Sequence, residues 1–172
     1  MGRHSKYYIR TNSGEPKHER EKAKCVVHDE GIDALLDEVY SKYHYRRDQL
    51  WIPIDDEDFR EDVDFDYFFI MDYYAKPYLK SIIDVLFLKD QCIYFIPLND
   101  TDYTNAKAFC FTRSEFERFR NDYAEYFCVP ENLEWAFYRC HEEVFTFAGA
   151  LVGRAKRITE PVKQYWNEYY GA

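Results

Sequence analysis

Hydrophobic residues recur every three or four positions in several segments of the chain, and this spacing predicts helices. The first such segment covers residues 30–48, where acidic residues occupy the first half and basic residues the second half, as suits the helix dipole. Asp29 is placed to cap it. The apolar face of this predicted helix consists of Ile32, Leu35, Leu36, Val39 and Tyr43.

Two further helices are predicted in the second half of the chain. Residues 114–127 open with Ser114 and Glu117 at capping-box spacing. Their predicted buried stripe is Phe116, Phe119, Tyr123, Tyr126 and Phe127. The last helix is predicted from Glu160 to Tyr170, with Thr159 as its cap and Pro161 in its first turn.

Short apolar or alternating runs predict strands between these helices. Ile82–Leu88 and Cys92–Leu98 flank a three-residue turn and predict a β-hairpin, and Ala106–Phe111 predicts a further strand. Leu133–Arg139 and Glu143–Ala148 predict a second hairpin. The expected fold is therefore a single α+β domain, a mainly antiparallel sheet of about five strands with three or more helices packed on it.

The chain has 172 residues and a net charge of −9, but its charged residues are distributed unevenly between two parts. Residues 1–24 carry seven Lys/Arg and three Asp/Glu and lack apolar periodicity after Ile9, so we expect a mobile basic arm, with a short edge strand at Tyr7, Tyr8 and Ile9 left open. Residues 25–172 carry 16 Lys/Arg and 29 Asp/Glu and form the expected acidic, aromatic-rich domain. An acidic body repels nucleic acid and attracts basic partners, although acidity also serves solubility alone.

Cysteine usage and hydropathy bear on the compartment. The five cysteines are an odd number without the spacing of a disulfide framework, as is usual in a reducing compartment. The N-terminus lacks an apolar signal segment, and no apolar run has the length of a membrane span. These observations predict a cytoplasmic protein that does not associate with membranes.

The segment from Asp55 to Tyr74 combines nine acidic residues with seven aromatic ones. Disordered acidic tracts lack aromatic rings, so this composition indicates an ordered binding surface. Aspartates alternate with apolar residues from Asp62 to Tyr67, which favours a strand, but a helix over the later part stays open. The predicted partner-binding residues are Asp55, Asp56, Glu57, Asp58, Phe59, Glu61, Asp62, Asp64, Phe65, Asp66 and Tyr67.

Several residue patterns in the chain suggest metal-binding or catalytic sites as alternatives to a binding surface. Asp62, Asp64 and Asp66 have the spacing of cation ligands, but Tyr67 and Tyr73 stand where a calcium loop of the EF-hand type needs Gly and Glu. Further alternatives are a zinc site and acid–base or nucleophilic chemistry. The zinc site would use Cys25, His28, Cys140 and His141. Acid–base chemistry would use His141, Glu142 and Glu143, and Cys140 would be the nucleophile. We assign no catalytic residue and no metal ligand, and we expect no cofactor.

The layout of residues 80–150 resembles the immunity-protein class, small bacterial proteins encoded beside toxins or defence systems. The resemblance consists of a strand (Ala106–Phe111), a capped aromatic helix (Ser114–Phe127), the pair Glu134-Trp135, and His141-Glu142-Glu143 ahead of a strand. It carries over no catalytic residues, and the acidic segment and the basic arm lie outside it.

Charge, aromatic content and resemblance together favour a non-enzymatic binding protein. We expect it to inhibit or neutralise a basic protein partner by occlusion, as an immunity protein or an anti-defence protein that mimics nucleic acid would. The partner would be a toxin or another enzyme that handles nucleic acid. One alternative is a metal-dependent nuclease or phosphoesterase that uses Asp62, Asp64 and Asp66. Another is a nucleic-acid-binding module that uses the basic arm, although direct nucleic-acid binding is not expected.

Overall fold

A six-stranded antiparallel sheet forms the centre of the protein, in the order β1-β6-β5-β4-β2-β3. The computed structural model describes residues 29–44, 64–88, 93–97, 108–140 and 143–167. The strands are β1 (Tyr67–Met71), β2 (Ile93–Pro97), β3 (Phe109–Phe111), β4 (Tyr126–Pro130), β5 (Trp135–Arg139) and β6 (Val144–Gly149). The α+β prediction is confirmed, with six strands in place of about five.

Helices cover both faces of the sheet. They are α1 (Asp29–Tyr43), α2 (Asp72–Ala75), α3 (Leu79–Leu86), α4 (Arg113–Phe119) and α5 (Val152–Thr159). Turns of 3₁₀ helix follow three of them, at Lys76–Tyr78, Arg120–Asp122 and Glu160–Tyr165. Helices α3, α4 and α5 pack on one face through Ile83, Phe116 and Ala155. Helix α1 packs on the other face through Leu36 and Val39.

Aromatic side chains fill the face beneath α3, α4 and α5. Phe147 of β6 lies opposite Phe68 on one side and Phe137 on the other. The ring centroids of these two pairs are 5.0 and 5.3 Å apart. Aromatic pairs at this separation add to the burial of apolar area. Much of the unusual aromatic content is therefore core.

The β5–β6 hairpin confirms the prediction for Leu133–Arg139 and Glu143–Ala148. Helix α1 confirms the first predicted helix as far as Tyr43, although it begins at Asp29 itself. Strand β3 confirms the last part of Ala106–Phe111.

The predicted hairpin of Ile82–Leu88 and Cys92–Leu98 is wrong in its first half. Leu79–Leu86 is helical, whereas Ile93–Pro97, the described part of the second run, is a strand. Ile82, Ile83 and Leu86 are buried, which is the i, i+1, i+4 pattern of one helix face. A short apolar run fits a strand and a buried helix equally well, and packing against the sheet decides between them.

The predicted helix over 114–127 is too long. Helix α4 ends at Phe119, and Tyr126 begins strand β4. Tyr126 and Phe127 are both buried, but they lie on opposite faces of the sheet. The capping box uses Thr112 and Glu115 in place of Ser114 and Glu117, with the Thr112 amide donating to Glu115 Oε2 at 2.8 Å.

The last predicted helix is displaced. Helix α5 starts at Val152, and residues 160–165 form a 3₁₀ turn. Thr159 directly precedes the 3₁₀ turn and Pro161 lies in its first turn, as predicted, but the Thr159 hydroxyl donates to the Ala155 carbonyl at 2.8 Å and makes no cap hydrogen bond to that turn.

The predictions on residues 1–24 and on His141-Glu142 lie outside the described residues. Among the residues that are described, no helix is long and apolar enough to cross a membrane.

Candidate partner-binding surface

The carboxy-terminal end of the acidic segment is held against α1 by an aromatic ring. Phe65 is half-buried, and its ring meets Tyr43 edge-on at a centroid distance of 5.2 Å. The Phe65 and Tyr67 rings are 6.3 Å apart. Because Tyr43 is buried, this cluster attaches residues 64–66 to the domain.

Asp64 and Asp66 are exposed on either side of this anchor. The Asp66 carbonyl oxygen accepts a hydrogen bond of 2.8 Å from the Gly149 amide, which ties the backbone to the end of β6. Exposure thus alternates from Asp64 to Tyr67, as the spacing predicts, although the regular strand begins only at Tyr67. The two carboxylates are available to solvent on a backbone that is fixed at both Phe65 and Asp66.

Tyr43, against which Phe65 packs, is itself held by a hydrogen bond. Its hydroxyl donates to the Leu133 carbonyl oxygen at 2.8 Å. Burial raises the pKa of the Tyr43 hydroxyl, and the negative charge of Glu134 raises this pKa further. Tyr43 therefore stays a neutral donor, while Glu134, which is half-buried, adds negative charge beside the anchor.

Helix α1, in the same layer, carries further exposed charged residues, of which Asp37 and Glu38 are acidic and Lys42 is basic. Asp37, Glu38 and Tyr40 are exposed on the side away from the sheet, and Tyr40 keeps 51% of its surface accessible. Tyr40 lies one turn before Tyr43. We define the acidic surface as Asp37, Glu38, Tyr40, Asp64 and Asp66. The three α1 residues were not identified from the sequence as part of a binding surface. Their position outside the apolar stripe of the helix was the feature that could have identified them as exposed.

The structure thus places four predicted partner-binding residues, namely Asp64, Phe65, Asp66 and Tyr67, beside the end of α1. The other seven lie outside the described residues: Asp55, Asp56, Glu57, Asp58, Phe59, Glu61 and Asp62.

The metal and catalytic alternatives receive no geometric support in the described ranges. No group of three or more His, Cys, Asp or Glu side chains there is placed to hold a metal ion. Cys140 is buried at 5% exposure. Cys25, His28, Asp62, His141 and Glu142 lie outside those ranges.

A buried acid lies on the same face of the sheet as α1. The Tyr138 hydroxyl donates a short hydrogen bond to the Glu125 carboxyl, and both residues are 2% exposed. Burial, followed by the charge of Glu125, raises the pKa of Tyr138. Because solvent does not reach this pair, we interpret it as a structural hydrogen bond between the start of β4 and β5.

Two arginines line a groove on the opposite layer. A shallow groove of about 330 Å³ between α3 and α5 is lined by Val85, Leu88, Arg154, Arg157 and Ile158. The acidic surface belongs to the α1 layer, whereas this groove, with its two arginines, belongs to the other layer.

Comparison with protein-family models, curated proteins and solved structures finds no significant match to this chain.

Proposed function

We propose that this protein is a non-enzymatic acidic binding protein that inhibits or neutralises a basic protein partner by occlusion. The observation that supports the proposal most directly is the fixed exposure of Asp64 and Asp66, on a backbone anchored through Phe65 to Tyr43. Exposed carboxylates on an anchored backbone are pre-organised for docking, so binding orders fewer groups.

The mechanism is electrostatic and steric. Carboxylates from Asp55 to Asp66 take the place of the phosphates that a nucleic-acid-handling partner binds, and their charge accelerates the encounter. Aromatic side chains supply the contact area from which most binding energy comes. Tyr40, which is 51% exposed, provides such area beside the carboxylates. Toxin-immunity proteins and anti-defence proteins both act in this way.

Charge reversal tests the proposal. Asp64→Lys/Asp66→Lys changes the described part of the surface, and Asp55→Lys/Asp56→Lys/Asp58→Lys/Asp62→Lys changes the remainder. Glu117→Lys/Glu160→Lys is the matched control, because these residues are exposed carboxylates on α4 and after α5, in the opposite layer. All variants should fold, since exposed ion pairs contribute only about 0–1 kcal/mol.

The wild-type protein and the variants are used to capture partners from the native host, and association rates are then measured with the purified partner. We expect a basic partner whose association slows at least about tenfold with either surface variant, with a weaker response to salt. The control variant should bind as the wild type does. A partner that binds both surface variants normally would contradict the proposal.

A further inference from the structure

The shallow groove between α3 and α5 combines aliphatic side chains with two arginines. Helix α5 contributes Arg154, Arg157 and Ile158, which lie at positions i, i+3 and i+4 and so share one face of the helix. From the other side, Val85 of α3 and Leu88, which follows that helix, line the groove. One wall is therefore apolar, and the other carries positive charge beside an aliphatic side chain.

The aliphatic part of the groove is both held in place and accessible. Val85 and Ile158 are half-buried and pack against the core beneath α3 and α5. Leu88 keeps 56% of its surface exposed. Because the floor is fixed by the core while the rim stays open, an apolar side chain can dock here without rearrangement of the domain.

The two arginines of the groove have no anionic partner within the described residues, where their side chains form no hydrogen bond or ion pair. The acids on the adjoining elements are engaged elsewhere. Asp84 of α3 pairs with Arg113, and Glu160 pairs with the lysine three residues after it. Two guanidinium groups on one helix face are therefore available to an anion.

Guanidinium groups in this position suit carboxylates. The planar fork of arginine matches the two oxygens of a carboxylate and forms paired hydrogen bonds with it. Arg154 is half-buried, so a carboxylate that reaches it is partly shielded from water, which strengthens the contact. None of the described residues that line the groove is acidic, so none of them repels such a group.

We propose that the groove between α3 and α5 docks an acidic segment of a partner protein, in which Asp or Glu side chains flank an aliphatic one. The carboxylates bind Arg154 and Arg157, and the aliphatic side chain packs on Val85, Leu88 and Ile158. The groove and the acidic surface belong to opposite layers of the domain, so this site is additional to the proposed function and does not depend on it.

A peptide segment fits the groove better than nucleic acid or a small anion does. Proteins bind single-stranded nucleic acid by stacking its bases on aromatic rings, and no aromatic residue lines this groove. The net charge of −9 also repels a polyanion more strongly than a short segment with few carboxylates. Small-molecule sites enclose most of their ligand, whereas this groove is shallow.

Selection from a displayed library of random peptides tests the proposal. The full chain serves as the target, and Arg154→Glu/Arg157→Glu serves for counter-selection. Neither substitution breaks a side-chain hydrogen bond or ion pair of the described residues, and thermal unfolding checks that the variant folds. Arg154→Gln/Arg157→Gln replaces it if it does not. Arg118→Glu is the matched control, because Arg118 is an exposed arginine on α4 in the same layer.

We expect the enriched peptides to combine Asp or Glu with Leu, Ile or Val. Their affinity should fall at least about tenfold with Arg154→Glu/Arg157→Glu, since the loss of one charge-assisted hydrogen bond has about that effect. Leu88→Ser should weaken binding at least about threefold through lost apolar contact. Arg118→Glu should bind as the wild type does.

Amide replacement in a selected peptide shows whether its carboxylates meet the arginines. Replacing its Asp and Glu residues by Asn and Gln should weaken binding to the wild type at least about tenfold, and should change binding to Arg154→Gln/Arg157→Gln much less. Equal losses with both proteins would overturn the proposal.

The selection itself can also overturn the proposal. It fails if no peptide is enriched over the counter-selection, or if the enriched peptides lack acidic residues. A single-stranded oligonucleotide or inorganic phosphate that binds through both arginines, with no peptide enriched, would identify phosphate as the ligand in place of an acidic segment.

Discussion

The Tyr43 hydroxyl donates a hydrogen bond of 2.8 Å to the carbonyl oxygen of Leu133, 90 residues further along the chain. Tyr43 ends α1, and Leu133 lies between β4 and β5 in a left-handed conformation with a φ of 51°. The bond therefore joins the helix that carries part of the acidic surface to the central sheet. The same Tyr43 ring packs against Phe65, so one side chain contacts both the loop before β5 and the segment that carries Asp64 and Asp66.

Tyr43→Phe should lower the free energy of unfolding by about 1–3 kcal/mol, because it leaves a buried carbonyl without a donor. Tyr40→Phe is the control, since the Tyr40 side chain is largely exposed. The control should stay within about 0.5 kcal/mol of the wild type. Urea unfolding measures both, and equal stabilities for the two variants would contradict the role assigned to the Tyr43 hydroxyl.

Two glycines should respond oppositely to alanine. Gly149 has a φ of +66°, and a Cβ there would lie 2.7 Å from the Glu134 carbonyl oxygen. Gly149→Ala should therefore destabilise by more than about 1 kcal/mol. Gly153 lies in α5 with open space around it, so Gly153→Ala should stabilise by about 0.5–1 kcal/mol. Thermal and urea unfolding give the signs, and the prediction fails if both substitutions shift stability in one direction.

Alkaline pH should unfold the protein through its buried tyrosines. Burial raises the pKa of Tyr43, Tyr126 and Tyr138 above the ordinary value of 10.0. The native state thus retains protons that the unfolded chain releases, so stability is retained below about pH 10 and falls as pH rises beyond it. Urea midpoints from about pH 8 to about pH 11 test this, because these tyrosines ionise with unfolding. A constant midpoint across this range would rule out the linkage.

Chelation should leave the protein unchanged. On the proposed function, the purified protein holds no stoichiometric metal, and a chelator does not alter its melting temperature. Elemental analysis and calorimetry measure these quantities. One equivalent of zinc, or a lower melting temperature after chelation, would favour the metalloenzyme or structural-zinc alternatives.

Removal of residues 1–20 should cost less than about 1 kcal/mol of stability, unless Tyr7, Tyr8 and Ile9 pair as an edge strand. Neither the full chain nor the truncated one should bind nucleic acid appreciably at moderate salt, and partner affinity should be equal for both. Titrations with duplex and single-stranded nucleic acid at low and moderate salt provide the measurement. Sub-micromolar binding that needs residues 1–20 would favour the nucleic-acid-binding alternative.

Local periodicity was sufficient to predict an element where residues close in sequence specify it. Leu36, Val39 and Tyr43 are buried at the predicted spacing, because one helix face meets the sheet. The β5–β6 hairpin also followed from alternation around a short turn. The acidic segment was recognisable from composition, and the exposure of Asp64 and Asp66 around Phe65 agrees with its period of two.

Local spacing was insufficient to predict an element where packing against distant segments decides its conformation. Tyr126 and Phe127 fit the spacing of a helix, but β4 places them on opposite faces of the sheet, between β2 and β5. Ile82 and Ile83 fit a strand, but α3 buries both against one face. In each case burial against partners remote in sequence overrides a weak local preference.

The sequence by itself determined the α+β class, the uneven charge and the aromatic core, because these depend on residue types and short-range period. Only the tertiary structure decided that Phe65 docks on Tyr43, that Asp37 and Glu38 belong to the layer of Asp64, and that Asn167 hydrogen-bonds to the backbone of Phe69. These contacts join residues far apart in the chain. Their formation depends on the register and packing of the whole sheet, which no local pattern encodes.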